Sequence, residues 1–478
     1  MLYDIAIIGG GVIGCMTARK LSQYNLSIAL LEKNSDIATG ASKANSGIVH
    51  AGFDAATGSL KAKLNVEGAK LMPNVCKDLF VPYKNNGSLV IAFSQEEMET
   101  LQDLYDRGVR NGVPGMEIID RQTLLELEPN ISPNAMGALH AKTAGIVCPY
   151  ELTTAAAQCA VGNGVELFLN CGVNSAEFKD NVFVLGTQQG DIHSRYVINA
   201  AGTHSDDVSA MIGNKCAEIK PRLGDYALLD KGRGSVVSRV IFQCPTKLGK
   251  GVLVSPTVDG NVIVGPTTIE IEEKNNSAIS QIALRDVFKS AQKAVPSISM
   301  RDTITSFGGV RAHPTSDDFI IEPSKENERF INVAGIESPG LASSPAIALY
   351  VDEIFRSVYD GKLETKPDYN PSRREPVKFR EMSEQQQIDL IEKDPAYGRI
   401  ICRCETVTEG EIRDCINVPA GARDLDGVKR RTRAGMGRCQ SGFCGSKVME
   451  ILSRELGIPI NEVTKFGGNS KILYERTK

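Results

Sequence analysis

Five cysteines crowd into the last eighty residues of a 478-residue chain, and four of them are patterned: Cys402 and Cys404 in RIICRCE, then Cys439 and Cys444 in GMGRCQSGFCG. Thiolates are soft ligands, and four of them suit either one tetrahedral zinc ion or a [2Fe–2S] cluster. Structural zinc sites usually space paired cysteines by two to four residues, so the Cys402-x-Cys404 pair is tight for zinc. A different chemistry is written at the other end. GGGVIG sets Gly9, Gly11 and Gly14 at G-x-G-x-x-G spacing, and Glu32 follows eighteen residues past Gly14. Such a turn lets a pyrophosphate reach the amides of a helix N-terminus, while the acid accepts from a ribose hydroxyl pair. Proton transfer could fall to any of five histidines: His50, His140, His193, His204 and His313. Lys250 and Arg311 could grip a phosphate or a carboxylate, arginine doing so bidentately.

These residues need elements to hold them. Residues 3–9, YDIAIIG, have the length and apolarity of a buried strand. A helix-like stretch runs to about Tyr24, and SIALLEK gives a second strand ending at Glu32. Strand, glycine turn, helix, strand and acid together make a dinucleotide-binding unit, without deciding between FAD and NAD. A polar loop of small residues follows, DIATGASKANSGIVHAG, offering Ser42, Asn45, Ser46 and close backbone approach at Gly47. VINAAG, with Gly202 at its turn, reads as a later return to the same sheet. SLVIAF, GVLVSP and NVIVGP have another texture and predict a second, strand-rich domain.

Composition sets limits. The length predicts two or three domains. A net charge of −4 argues against a generally nucleic-acid-seeking surface. Residues 399–447 depart from that balance with ten Lys/Arg against six Asp/Glu, a net of +4. No apolar run reaches membrane-spanning length and the N-terminus opens as a strand, so a cytoplasmic location is expected. There twelve cysteines stay reduced, and clustered ones point to metal before disulfides.

The NSG-x-x-H segment at 45–50 resembles that of the D-amino-acid-oxidase-like flavoproteins, more narrowly the FAD-dependent glycerol-3-phosphate oxidases and dehydrogenases. LGKGVLVSP, SFGGVRAHPTSDDFIIEPS and VAGIESPGLASSPAIA extend the resemblance to about residue 360. It implies an α/β chain with a Rossmann-like FAD domain near 1–79, 141–221 and 307–360. An antiparallel-sheet substrate domain near 80–140 and 222–306 interleaves with it. The resemblance implies FAD contacts at Gly9, Gly11, Ile13, Gly14, Glu32, Ala41, Ser42, Asn45, Ser46, Gly47, Val173, Gly202, Ile336, Glu337 and Ala342. It implies His50 as the base and Ser46, His50, Lys250, Arg311 and Ser338 as substrate contacts. L-2-hydroxyglutarate dehydrogenases carry a similar NSG-x-x-H-x-G segment, so a 2-hydroxyacid stays open as substrate. So does an amine such as proline or hydroxyproline, as does a redox relay without turnover.

Residues 361–398 are polar and charged and read as a surface linker ending in a short helix with Ser383 as N-cap. Beyond it, C-x-C…GMG-x-C-Q-x-x-x-C resembles the bacterioferritin-associated-ferredoxin-like domain, a small, mainly helical [2Fe–2S] fold spanning 399–478 here. That resemblance implies Cys402, Cys404, Cys439 and Cys444 as cluster ligands. Free-standing members close with C-x-x-C where this chain has C-x4-C, a spacing found in the dehydrogenase-fused branch. The expectation is therefore a glycerol-3-phosphate dehydrogenase that passes electrons through the cluster to a partner subunit. Any membrane association would be peripheral and through that partner.

Overall fold

The computed structural model describes residues 1–245 and 251–475. Two sheets and a small helical domain divide the chain. In the first sheet, Leu2–Ile8 is central, paired in parallel with Ile28–Leu31 on one side and Gly190–Asn199 on the other. Glu166–Phe168 adds beyond Ile28–Leu31. Val182–Thr187 and Val173–Lys179 extend the far edge antiparallel, and Phe330–Ala334 pairs with the end of Gly190–Asn199. The central strands read as unbroken apolar runs because both faces are covered. The helices Val12–Leu21, Pro149–Gly162 and Gly340–Val358 share the main core with them. A third contact layer forms where Leu60–Asp78 crosses Gly340–Val358. It is close enough that a side chain on Gly68 would overlap the Ala342 carbonyl.

Among the described residues the second sheet has nine strands, and alternation along Ser88–Ala92 explains its two cores. Leu89 and Ile91 face the helix Gln281–Ala294, while Val90 and Ala92 face Gln95–Arg110. Ile219–Leu229 and Thr303–Pro314 pair antiparallel within this sheet. Both strands cross the expected boundaries at 221/222 and 306/307. The Gly308–Gly309 pair sits inside a strand because a side chain on Gly309 would collide with the Ala44 carbonyl. A three-stranded ribbon of Ile48–Val49, Gly145–Val147 and Tyr83–Lys84 joins the loop after Glu32 to the rest.

Past residue 361 the chain hugs the first sheet's helices. Arg373 donates to the Leu79 carbonyl at 2.7 Å and to Gln158 at 2.8 Å. Ser383 caps the helix Glu384–Lys393 through a reciprocal pair with Gln386. Three helices, Glu409–Asn417, Leu425–Thr432 and Gly445–Leu456, then close on their own core of Ile412, Ile416, Val428, Ile451 and Leu452. This domain docks directly. Asp36 receives both Arg430 and Arg431, and Ser35 donates to Asp424 at 2.8 Å. No helix among the described residues is long and apolar enough to cross a membrane.

Candidate functional site

The glycine turn is shaped by contacts that only glycine permits. Gly9 has φ +114°, and a Cβ there would overlap the Ala200 carbonyl at the end of the VINAAG strand. A Cβ on Gly14 would strike the Gly9 carbonyl. Gly11 brings no side chain to cap the helix Val12–Leu21; instead Ser42 Oγ accepts the Val12 amide at 2.8 Å. Glu32 is buried behind the turn, with Oε2 accepting from the Gly10 amide at 2.8 Å and Oε1 from the Asn34 amide at 2.9 Å. Burial prevails over these bonds and raises its carboxyl above the usual range. A bare helix start, a carboxylate beside it and glycines that keep the approach open fit the diphosphate and ribose of a dinucleotide. Ile13 opens the helix, while Val173 lies at the first sheet's edge and Gly202, at φ +61°, follows the central strand's neighbour.

The loop after Glu32 folds back on itself. Asn45 Nδ2 donates to the Ala41 carbonyl at 2.9 Å, and its Oδ1 accepts the Gly47 amide at 2.8 Å. Gly47, at φ +68°, then accepts from the Val147 amide at 2.8 Å. Ser46 stands between these two anchors. Four residues past Ser46, His50 lines a cavity of about 200 Å³ with Asn65, Lys61, Glu337 and Ser338. Its ring stacks on Phe242 with centroids 5.7 Å apart, and Asn65 Nδ2 donates to its carbonyl at 2.6 Å.

Glu337 organises the cavity wall. Lys61 Nζ reaches Glu337 Oε1 at 2.9 Å, and His313 Nδ1 lies 3.0 Å from the same oxygen. Burial alone would raise this carboxyl, yet Lys61 and His313 hold it below the usual range. Ile336 supports the segment by packing against Gly340, and Ala342 is fully buried in the helix behind it. The sequence reading missed Lys61 and Asn65. Their signal was a lysine and an amide four residues apart on one helical face, the amide buried.

Arg311 is not among the residues lining that cavity. It shares a strand face with His313, two residues on, and its Nη2 donates to the Thr267 carbonyl at 2.8 Å. Lys250 lies outside the described residues. The other histidines are engaged elsewhere: His140 with Glu117 at 3.2 Å and His204 with Asp207 at 2.9 Å. His193 pairs within the first sheet.

The four terminal cysteines come together as two pairs. Cys404 and Cys439 have sulfurs 3.6 Å apart, and the Cys444 thiol bonds to Cys402. That bond outweighs burial and, with the Gly435 and Glu405 amides, draws the Cys402 thiol down to about 6. Gly437 allows the closeness, since a side chain there would strike Cys404. Among the described residues, no three His, Cys, Asp or Glu converge as ligands of a single metal ion. Two thiol pairs suit two irons, each taking two sulfurs, better than one tetrahedral zinc.

Residues 4–354 match the family described as FAD dependent oxidoreductase, and residues 400–454 the BFD-like [2Fe-2S] binding domain. The chain belongs to the FAD dependent oxidoreductase family. This oxidoreductase carries FAD in its first part and a [2Fe–2S] cluster in its last, as the turn and the paired thiols fit. It is 49% identical to "Glycerol 3-phosphate dehydrogenase" of Caloramator mitchellensis over 100% of this chain and 99% of the relative. It is 35% identical to "Glycerol 3-phosphate oxidase" of Mycoplasma genitalium, covering 77% of this chain and 98% of that one. A solved structure, dithionite-reduced L-alpha-glycerophosphate oxidase from Mycoplasma pneumoniae with FAD bound, superposes with a TM-score of 0.74 at 31% identity. It covers 78% of this chain and 98% of its own. Both oxidase matches thus leave more than a fifth of this chain uncovered.

Proposed function

We propose that the chain oxidises the secondary alcohol of sn-glycerol 3-phosphate to dihydroxyacetone phosphate in the cytoplasm, and delivers the electrons through its terminal domain to a partner subunit. FAD, when bound, takes up the two electrons as hydride, and the cluster passes them on singly. The observation that carries this reading is the cavity that gathers His50, Lys61, Glu337 and Ser338 beside the dinucleotide loop, in a chain matched end to end by a glycerol 3-phosphate dehydrogenase.

His50 takes the hydroxyl proton. An imidazole with a pKa near 6.5 is largely neutral at pH 7 and suits a base. Phe242 and Asn65 hold the ring and backbone of His50 in place. Glu337, committed to Lys61 and His313, holds that lysine at the wall. Arg311, Lys250, Ser46 and Ser338 supply the donors for a phosphate dianion.

His50→Ala is the direct test. Turnover should fall by roughly 10²–10⁴-fold with FAD content unchanged. Retained activity would move the base to His313, the other imidazole at this wall. Arg311→Lys should weaken glycerol 3-phosphate use, because the planar fork is lost while the charge stays. A preference of the parent protein for L-2-hydroxyglutarate or hydroxyproline would overturn the substrate assignment.

A further inference from the structure

Two loops of this chain, one beside the flavin site and one holding the cluster cysteines, meet through a pair of uncharged side chains. On the first side, Val147 donates its amide to the Gly47 carbonyl at 2.8 Å, and Pro149 Cδ lies 3.5 Å from where a Gly47 Cβ would stand. Tyr150 follows directly, in the first turn of the helix Pro149–Gly162. Its hydroxyl donates to Met436 Sδ at 3.3 Å. On the second side, Met436 stands three residues before Cys439, and Gln440 Nε2 donates to its carbonyl at 3.0 Å. The next residue, Gly437, abuts Cys404.

We propose that the Tyr150–Met436 contact is the route by which electrons cross from the flavin loop to the cluster; this rests on the flavin-to-cluster reading above. From Gly47 to Cys439 the path is covalent except for two short gaps, of 2.8 Å and 3.3 Å. A phenol ring and a thioether, both polarisable, bridge the second. Arg433 Nη1 fixes the phenol by donating to its oxygen at 3.3 Å. Burial holds the Tyr150 hydroxyl far above its ordinary pKa, so it stays protonated and remains a donor to sulfur. The other ties between the domains are mostly ionic and start away from the flavin loop: Lys231 and Asp230, just past a strand of the second sheet, pair with Glu405 and Arg438 beside Cys404 and Cys439. Asp36 binds the helix Leu425–Thr432, which carries none of the four cysteines. Each crossing oxidises the reduced flavin by one electron and reduces the cluster by one. Two crossings complete one substrate oxidation, a one-electron acceptor emptying the cluster between them and the flavin's protons passing to water.

The test uses the full chain loaded with FAD and cluster, without oxygen. Flavin bleaching is followed by absorbance and cluster reduction by its paramagnetic signal after rapid freezing. Tyr150→Leu and Met436→Leu should leave bleaching by glycerol 3-phosphate unchanged and slow cluster reduction by about tenfold or more, an added barrier of at least about 1.4 kcal/mol. Tyr150→Phe, which keeps the ring and loses the bond to sulfur, should slow it less. Dithionite titration should give parental potentials for both centres in all three variants. Parental rates of cluster reduction in the two leucine variants would overturn the route. A slowed rate that follows a shifted cluster potential would overturn it too, because the contact would then tune the cluster. Photoreducing the flavin with EDTA as donor reads the same crossing without substrate, so a wrong substrate assignment shows only in the bleaching step. Zinc at the four cysteines would remove the acceptor, and the proposal with it.

Discussion

Glu32 and Asp36 stand four residues apart on one loop, both buried, and end in opposite states. Glu32 faces only amides of its own loop and of the glycine turn, and its carboxyl is raised above the usual range by burial. Asp36 is buried as deeply. Burial pushes its carboxyl up too, but Arg431 and Arg430, brought from almost four hundred residues away, win and hold it below the usual range. One acid is left for a ligand to complete; the other is completed by the chain itself. Residue type does not separate a cofactor contact from a docking contact here. What separates them is whether the fold supplies the opposite charge.

That comparison can be broken most forcefully at Asp36. Asp36→Ala leaves two guanidinium groups buried and unanswered, and breaking such a pair typically costs about 3–5 kcal/mol. The unfolding midpoint in urea should fall accordingly, with the terminal domain the first to yield to protease. An unchanged midpoint would mean that the docking rests on the remaining contacts. Glu32→Gln should do the reverse. Without FAD the variant should be as stable as the parent or more so, since a neutral amide escapes the burial penalty on charge. FAD should bind about tenfold more weakly, as expected for about 1.4 kcal/mol lost with one charge-assisted acceptor. Equilibrium dialysis against FAD measures this.

The smallest effect is in pH dependence. Asp36 has a folded pKa below its unfolded value near 3.9, so its contribution is complete above that pH and is lost as pH falls through the lower folded value. Glu32 has a folded pKa above its unfolded value near 4.3. Its charge is a cost at neutral pH, relieved as pH falls through the raised value. Subtracting the stability–pH curve of Asp36→Asn from the parent should show a loss in acid, and subtracting that of Glu32→Gln a gain on acidification. Curves of the same sign would refute the contrast.

The same division governs what the sequence shows. The glycine turn with Glu32 is legible because its geometry is local, and the four cysteines stand out by their motif, although which thiol meets which is set by the fold. The terminal helical fold was legible through the same motif. Lys61 and Asn65 were not, because their meaning depends on Glu337 and His50 arriving from other elements. The Gly308–Gly309 pair serves a close approach to Ala44 in mid-strand, which the sequence does not show. Asp36, Tyr150 and Met436 carry no signal at all in sequence. Each meets its partner across the polar segment 361–398, and only the fold brings them into contact.

Arg433 has a consequence for how small molecules enter and leave. Its guanidinium bonds Asp259 at 2.7 Å and Asn261 at 3.2 Å, both leading into a strand of the second sheet, and Tyr150 on a helix of the first. A fourth bond, to Glu405 at 2.8 Å, keeps it on the terminal domain. One side chain thus bolts the two sheets together from outside. Hinged opening of one sheet from the other would tear a buried group from Asp259 and Asn261 or from Tyr150. Traffic to the His50 cavity must therefore pass with the two sheets closed on each other, past a lining whose run Gly52, Phe53, Asp54, Ala55 and Ala56 is itself tied by Arg107 and Asn111.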